Sequence, residues 1–108
     1  MSALPQWLRI KKKSEFSAFY GRSSEVFKTP HFVFLKQSKP TPRLGVVVRK
    51  KIFKSAVNRN YLKRVLRSLF YRDYKRFRGM DLVVVARKPI VLNFNFIEKE
   101  WNNFVQNQ

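Results

Sequence analysis

The 108-residue chain has no cysteine, which excludes disulfide bonds and thiolate metal sites. No apolar run approaches the ~20 residues needed to cross a bilayer. Residues 1–6 lack the charged start and long apolar run of a secretory signal. We therefore expect one domain over residues 1–108, with no membrane partner and no disulfide-linked partner.

Acidic residues are scarce, and those present are spread along the chain. There are 6 Asp and Glu, and no pair has the D-x-D spacing that would place two carboxylates together. Two-metal nucleases need clustered carboxylates, and no glycine-rich phosphate loop is present. The single histidine, His31, lies in a strand pattern without an obvious chemical partner, so we interpret it as structural. We predict no catalytic residue, although clustering in space stays open.

Positive charge is the most unusual feature of the composition. Lys and Arg number 24, and the formal net charge is +18. Such self-repulsion weakens a compact fold unless a polyanion screens it. Nucleic acid is the leading partner, because cations that neutralise phosphates release condensed counterions. A solvated basic surface and a membrane-binding surface are the alternatives, but the apolar residues form core faces and not one exposed stripe.

The hydrophobic pattern predicts helix, strands, helix, strand and helix, which gives a sheet with helices mainly on one face. Residues 43–49 are β-branched on both faces, which predicts a central strand. Asn95 and Glu98 resemble a capping box at the start of the last helix. The predicted elements are a short helix over 14–20, extended chain over 25–37 interrupted near Pro30, strands over 43–49 and 81–89, and helices over 57–78 and 95–105.

The helix over 57–78 separates into an apolar face and a cationic arc when each residue advances by about 100°. Between Arg59 and Arg78 there are eight cations and one acid, whereas a solvated helix usually mixes charges. An external anion would relieve this repulsion. The apolar face contains Leu62, Val65, Leu66, Leu69 and Phe70; the arc contains Arg59, Asn60, Lys63, Arg64 and Arg67.

Further cations and aromatic residues surround this helix. Arg49, Lys50, Lys51 and Lys54 precede its start, where free backbone N–H groups also attract anions. A second cluster, Arg9 with Lys11, Lys12 and Lys13, fits a solvated arm and an RNA-contacting arm equally well. Phe16 and Tyr20 are either core residues or stacking surfaces for unpaired bases. Phe32 and Phe34 are expected in the core.

At Arg59 the sequence resembles a known family, the protein subunit of bacterial ribonuclease P. "RLGVVVRKK" followed by "AVNRNYLKRVLR" matches the family's R-N-x-x-K-R-x-x-R motif, with Arg59, Asn60, Lys63, Arg64 and Arg67 at its defined positions. "RIKKKSEFSAFYGR" is similar to the family's first helix and "DLVVVARKP" to its later strand. Tyr61 stands where the family usually has a third basic residue, and "FKSA" replaces a turn that often contains glycine.

The resemblance implies an α+β fold, a single-domain two-layer sandwich. Its mixed sheet would have about four strands and a left-handed strand–helix–strand crossover, similar to domains of a ribosomal protein and elongation factor G. It also implies a cytoplasmic, non-catalytic subunit of a ribonucleoprotein endonuclease that removes the 5′ leader of precursor tRNA. The partners would be the catalytic RNA and precursor tRNA, with Mg²⁺ bound chiefly by the RNA and substrate.

Carried over by position, the resemblance implies two binding surfaces. The arc from Arg59 to Arg67 would dock on the catalytic RNA, and a cleft lined by Phe16 and Tyr20 would bind the single-stranded leader. A ribosome-associated RNA-binding protein without a processing role is the alternative. A metal-dependent nuclease acting alone is a third possibility, and it predicts cleavage by the protein without RNA.

Overall fold

The structure, a computed structural model, describes residue 9 and residues 25–38, 42–77 and 80–107. The predicted helix over 14–20 lies outside these residues. In chain order, the described elements are strands β1 (Glu25–Lys28), β2 (Phe32–Ser38) and β3 (Arg43–Val47), helix α1 (Ala56–Asp73), a 3₁₀-helix (Tyr74–Phe77), strand β4 (Met80–Ala86) and helix α2 (Phe94–Gln106).

The four strands form one mixed sheet in the order β1-β2-β4-β3. The β1–β2 and β2–β4 pairs are antiparallel, whereas β3 and β4 are parallel and joined through α1. The break predicted near Pro30 is confirmed as the turn between β1 and β2. The sheet and its helices confirm the predicted α+β class, with four strands.

Among the described strands, the third strand does not have the central position predicted for it. β3 pairs only with β4, whereas β2 and β4 each have a strand on both sides. The apolar run of β3 reflects burial of its side chains, with Leu44 only 2 % exposed, and does not require a central place. Beyond β3, Arg9 forms an isolated parallel bridge with Leu44.

Helix α1 begins where its sequence provides a cap. Ser55 is the N-cap, and its side chain accepts a hydrogen bond from the Asn58 N–H at 3.4 Å. The predicted apolar face is confirmed, because Leu62, Val65, Leu66, Leu69 and Phe70 are all buried. The helix ends five residues before the predicted Arg78 and tightens into the 3₁₀-helix, whose Phe77 is buried.

Helix α2 begins earlier than predicted. Asn93, not Asn95, is the N-cap, and its side-chain oxygen accepts from the Asn95 N–H at 2.9 Å. Asn95 therefore lies in the first turn, and the predicted Asn95–Glu98 capping box was wrong. The apolar stripe is confirmed by burial of Ile97, Trp101 and Phe104.

The main core lies between one face of the sheet and the two α-helices. Phe32 and Phe34 are fully buried there, as predicted, with apolar residues of α1 and α2 in the same cluster. Phe34 stacks on Phe104, their ring centroids 4.2 Å apart. The opposite face of the sheet contributes a smaller cluster around Leu35 and Val83. In the described part of the chain, no helix is long and apolar enough to cross a bilayer.

A polar network joins the end of α1 to α2. Arg72 donates to Asp73, Glu98 and Asn102, and the Trp101 indole N–H donates to Asp73 Oδ2 at 2.8 Å. Burial alone would raise the pKa of Asp73. Hydrogen bonds from Arg72 and Trp101, with the charges of Arg72 and Arg76, outweigh burial and hold this pKa below its ordinary value of 3.8.

Asp73→Asn is expected to destabilise the protein by about 1–2 kcal/mol at pH 6. The substitution removes the negative charge that accepts hydrogen bonds from the exposed Arg72. A depressed folded-state pKa gives stability that is present above the ordinary value of 3.8 and is lost as pH falls through the folded pKa. The difference between wild type and variant should therefore shrink between pH 6 and pH 3 in urea unfolding. A difference of constant size across this range would contradict the prediction.

Candidate nucleic-acid interface

The carboxyl ends of the parallel strands β3 and β4 bring two basic segments to the same edge of the sheet. Val47 of β3 is level with Val85 of β4. Immediately beyond them, the chain continues into Arg49, Lys50 and Lys51 on one side and Arg87 and Lys88 on the other. All five side chains are exposed. We call these five residues the basic edge.

Arg87 and Lys88 were not among the RNA-binding residues predicted from the sequence. The segment "DLVVVARKP" was interpreted only as a buried strand, and two cations after a strand are a weak signal. They become informative once β4 is known to lie beside β3 and parallel to it. The Arg87 N–H donates to the His31 carbonyl at 2.9 Å, which fixes its backbone against the β1–β2 turn.

The loop between β3 and α1 is held by its own backbone and apolar residues. The N–H groups of Ile52 and Phe53 both donate to the Arg49 carbonyl, at 3.0 and 3.3 Å, and form a tight turn. The side chains of Ile52 and Phe53 pack against the main core. Lys50, Lys51 and Lys54 are exposed, so the turn presents these cations to solvent.

Arg59 lies at the start of α1, but its guanidinium contacts the protein itself. Its Nη1 donates to the carbonyls of Phe53 and Lys54, at 2.9 Å each. Two of the five guanidinium N–H groups are thereby bound to the loop. The sequence predicted Arg59 as an RNA contact; the structure gives it an additional role as the link between the loop and α1.

The rest of the predicted arc is displayed along α1. Asn60 and Arg64 are exposed, whereas Lys63 and Arg67 are half-buried. Asp73, at the far end, is the single acid within α1. Tyr61, which replaces the family's usual third basic residue, is half-buried and packs against the core.

Arg67 lies near Arg9, which belongs to the N-terminal basic cluster of the sequence. Burial lowers the pKa of Arg67 from its ordinary value, and the positive charge of Arg9 lowers it further. Arg9 Nε is buried and has no hydrogen-bond partner among the described residues. Two like charges at this position repel each other, and an anion bound between them would stabilise both.

The residues predicted to line the leader cleft cannot be placed. Phe16 and Tyr20 lie outside the described residues, so their role stays a prediction. The described face of the sheet opposite the helices has the half-buried side chains of Val33, Val47 and Val85.

Four acidic side chains among the described residues have a basic side chain as partner. Asp73 and Glu98 bind Arg72, Asp81 binds Arg43 at 2.7 Å, and Glu100 binds His31. No three His, Cys, Asp or Glu residues group together in the described part of the chain. These residues therefore form no site of three or more such ligands, whereas Mg²⁺ is usually bound by one or two carboxylates together with phosphates and water.

The chain was compared with known protein families and curated relatives. Residues 4–108 match the Ribonuclease P family. A ribonuclease P protein component of Pseudomonas aeruginosa is 39% identical over 86 residues, which cover 76% of this chain and 62% of the relative. A component from Pseudomonas entomophila is 51% identical over 49 residues, covering 45% of this chain and 37% of the relative. The matches to these curated relatives thus span under two thirds of their length.

Solved structures agree with the family match. The RNase P protein of Staphylococcus aureus is 27% identical, with a TM-score of 0.82, covering 93% of this chain and 94% of that protein. The RNase P protein of Thermotoga maritima is 26% identical, with a TM-score of 0.79, covering 93% and 96%. With nearly the whole chain matched in sequence and fold, this protein belongs to the ribonuclease P protein family.

Proposed function

We propose that this chain is the protein component of a ribonuclease P ribonucleoprotein and binds RNA through the basic edge and the cationic arc of α1. The observation that supports this proposal most directly is that the basic edge and the start of the arc on α1 lie at the same end of the sheet. The turn after β3 and the segment after β4 present five exposed cations, and Arg59 ties that turn to the helix that displays the arc.

The partners in this proposal are the catalytic RNA and the 5′ leader of precursor tRNA, in the cytoplasm. Structured RNA is held largely through its phosphates and shape, which suits Lys63, Arg64 and Arg67 on a rigid helix. Single strands are held by cations beside stacking surfaces, which suits the basic edge together with the predicted cleft residues Phe16 and Tyr20.

In this proposal the RNA and the protein have different roles in cleavage. Mg²⁺ would supply the charge stabilisation needed at the scissile phosphate, and in this proposal it is bound chiefly by the RNA and the substrate. The described residues of the protein bind and orient phosphates. They include no carboxylate cluster that would assign the protein a metal-dependent cleavage of its own.

Reconstitution tests the proposed function. The full chain is mixed with a bacterial ribonuclease P RNA and a precursor tRNA at low Mg²⁺, where RNA alone is slow. We expect a clear increase in cleavage at the mature 5′ end, because the protein adds cations that hold substrate and RNA together. The measurement is the rate of leader release, with the RNA alone as the reference.

Two results of the same assay would contradict the proposal. Binding of RNA without any gain in 5′ cleavage would favour an RNA-binding protein without a processing role. Cleavage by the purified protein after exhaustive removal of RNA would favour a nuclease acting alone.

Arg59→Ala is expected to weaken RNA binding mainly through the loop that Arg59 holds. If so, its effect overlaps with that of Lys50→Gln/Lys51→Gln, and the combined variant loses less affinity than the sum. We expect a coupling of about 0.5–3 kcal/mol, the range for residues that act together. The measurement is a double-mutant cycle on affinity for the catalytic RNA.

Arg64→Ala is the matched control, since Arg64 is exposed on the same helix one turn further along. Its effect should add to that of the lysine pair within about 0.3–0.5 kcal/mol. Additive behaviour of Arg59→Ala as well would mean that Arg59 contacts RNA directly and independently of the loop.

A further inference from the structure

A groove opens beside α2, next to the basic edge. Its volume is about 490 Å³, within the range of about 300–1,000 Å³ typical of small-molecule pockets. Pro30 and His31 of the β1–β2 turn form one wall, Pro89 and Val91 after β4 form the base, and Phe96 and Lys99 of α2 form the other wall. We call it the α2 groove.

The lining of the α2 groove is mainly apolar and incompletely buried. Phe96 is 55 % exposed and Val91 is 65 % exposed, whereas Ile97, Trp101 and Phe104 of α2 are buried. Adjacent exposed apolar side chains in a concave site mark a binding surface more often than an isolated one does. Phe96 is therefore a half-exposed aromatic side chain in the lining of the groove.

The acid that lines the groove, Glu100, is bound by its neighbour His31. Glu100 Oε1 accepts from the His31 N–H at 2.9 Å, and Oε2 lies 2.6 Å from His31 Nδ1. Both carboxylate oxygens are thus engaged, and the Glu100 side chain is only 12% exposed. The carboxylate of Glu100 is thus mostly buried and hydrogen-bonded to His31, and is little exposed to a ligand in the groove.

The exposed charge around the groove is positive. Lys99 is in the wall, and Arg87 and Lys88 immediately precede Pro89. An apolar floor with an exposed aromatic ring and a cationic rim is complementary to a ligand that has a flat base and an anionic backbone. A protein partner would instead need an acidic surface around an apolar anchor.

We propose that the α2 groove binds one unpaired nucleotide of an RNA strand, with its base on Phe96 and its flanking phosphates on Lys88 and Lys99. Because Lys88 also belongs to the basic edge, a single strand held there continues directly into the groove. The site adds a subsite to the RNA-binding function proposed above, on which it rests. Recognition is through stacking and charge, so we expect little preference among bases.

An NMR titration of the full chain with a short unstructured RNA, pentauridylate, tests the site. We expect the methyl signals of Ile90 and Val91 and the ring signals of Phe96 to shift and saturate. Phe96→Ala should weaken the binding measured at these methyls about fivefold or more, as expected for a stacking aromatic. Lys99→Gln should also weaken it, and is the second variant. Val26→Ala, an equally exposed apolar residue on β1, is the control and should change nothing.

The other outcomes are distinguishable. Shifts at Lys50 and Lys51 with none in the groove would overturn the groove site and leave the proposed RNA-binding function standing. No binding of pentauridylate anywhere would count against both. Groove signals that move with protein concentration in the absence of RNA, with a doubled mass in sedimentation, would mean that the groove is a contact between two copies of the chain, and would overturn the nucleotide site.

Discussion

Lys50→Gln/Lys51→Gln is expected to weaken binding to the catalytic RNA more at low salt than at high salt. The loss of affinity relative to wild type should be about 25- to 60-fold greater at 0.1 M salt than at 1 M. Each phosphate contact contributes about 0.7–0.9 to the slope of log affinity against log salt, so two contacts contribute about 1.4–1.8. Both side chains are exposed on a turn that the core holds from beneath. The measurement is filter binding or anisotropy over a salt series, which yields slope and affinity together.

Lys75→Gln/Arg76→Gln is the matched control, because it removes the same charge from two adjacent exposed residues. These residues lie beyond the far end of the 18-residue α1, about 27 Å from its start at 1.5 Å per residue. A general effect of net charge would change both pairs alike. Equal slopes for the two variants would therefore show that the turn after β3 is not a specific contact.

Much of the fold was predictable because burial leaves a periodic pattern in the sequence. The five apolar positions of α1 from Leu62 to Phe70 repeat every three or four residues, and all of them are buried. The alternation in "HFVFLKQ" likewise placed Phe32 and Phe34 on the core face of β2. These patterns are local, so no knowledge of neighbouring elements was needed.

The predictions failed where the structure depends on more than the local sequence pattern. β3 has the apolar composition of a central strand but lies at the edge of the described sheet, because strand order depends on pairing between segments far apart in the chain. The start of α2 was misplaced by two residues, since Asn93 and Asn95 are both good caps and only backbone conformation separates them. Asn93 is extended, at φ −132° and ψ 132°, and makes the capping bond.

Some features of the candidate site were likewise predictable from the local sequence, and others were not. The arc on α1 was visible in the sequence, because helical periodicity puts Asn60, Lys63 and Arg64 together. Contacts between remote segments were not visible in the sequence. Glu100 is 69 residues from His31, and their 2.6 Å contact gives the lone histidine a structural partner. Arg9 and Arg67 are likewise far apart in the sequence but close in the structure, where Arg9 bridges to Leu44 of β3.

The RNA-binding elements depend on one aromatic cluster for their relative positions. Trp101 of α2 is fully buried and makes edge-to-face contacts with Phe34 of the sheet and Phe70 of α1, at centroid distances of 6.1 and 6.4 Å. Its indole N–H donates to Asp73. One side chain thus links the sheet, the helix that displays the arc and the helix beside the groove.

Trp101→Ala is therefore expected to destabilise the protein by about 3–5 kcal/mol, the usual cost of removing a large buried aromatic. Small domains have about 5–15 kcal/mol in total, so the variant should be partly unfolded at modest urea concentrations. The measurement is urea unfolding at fixed salt, because anions screen the net charge of +18 and affect stability themselves. Phe96→Ala, on the same helix but 55 % exposed, should change stability by about 0.5 kcal/mol or less. A loss for Trp101→Ala as small as for this control would mean that the cluster repacks without Trp101, and that α1 and the sheet keep their relative positions by other contacts.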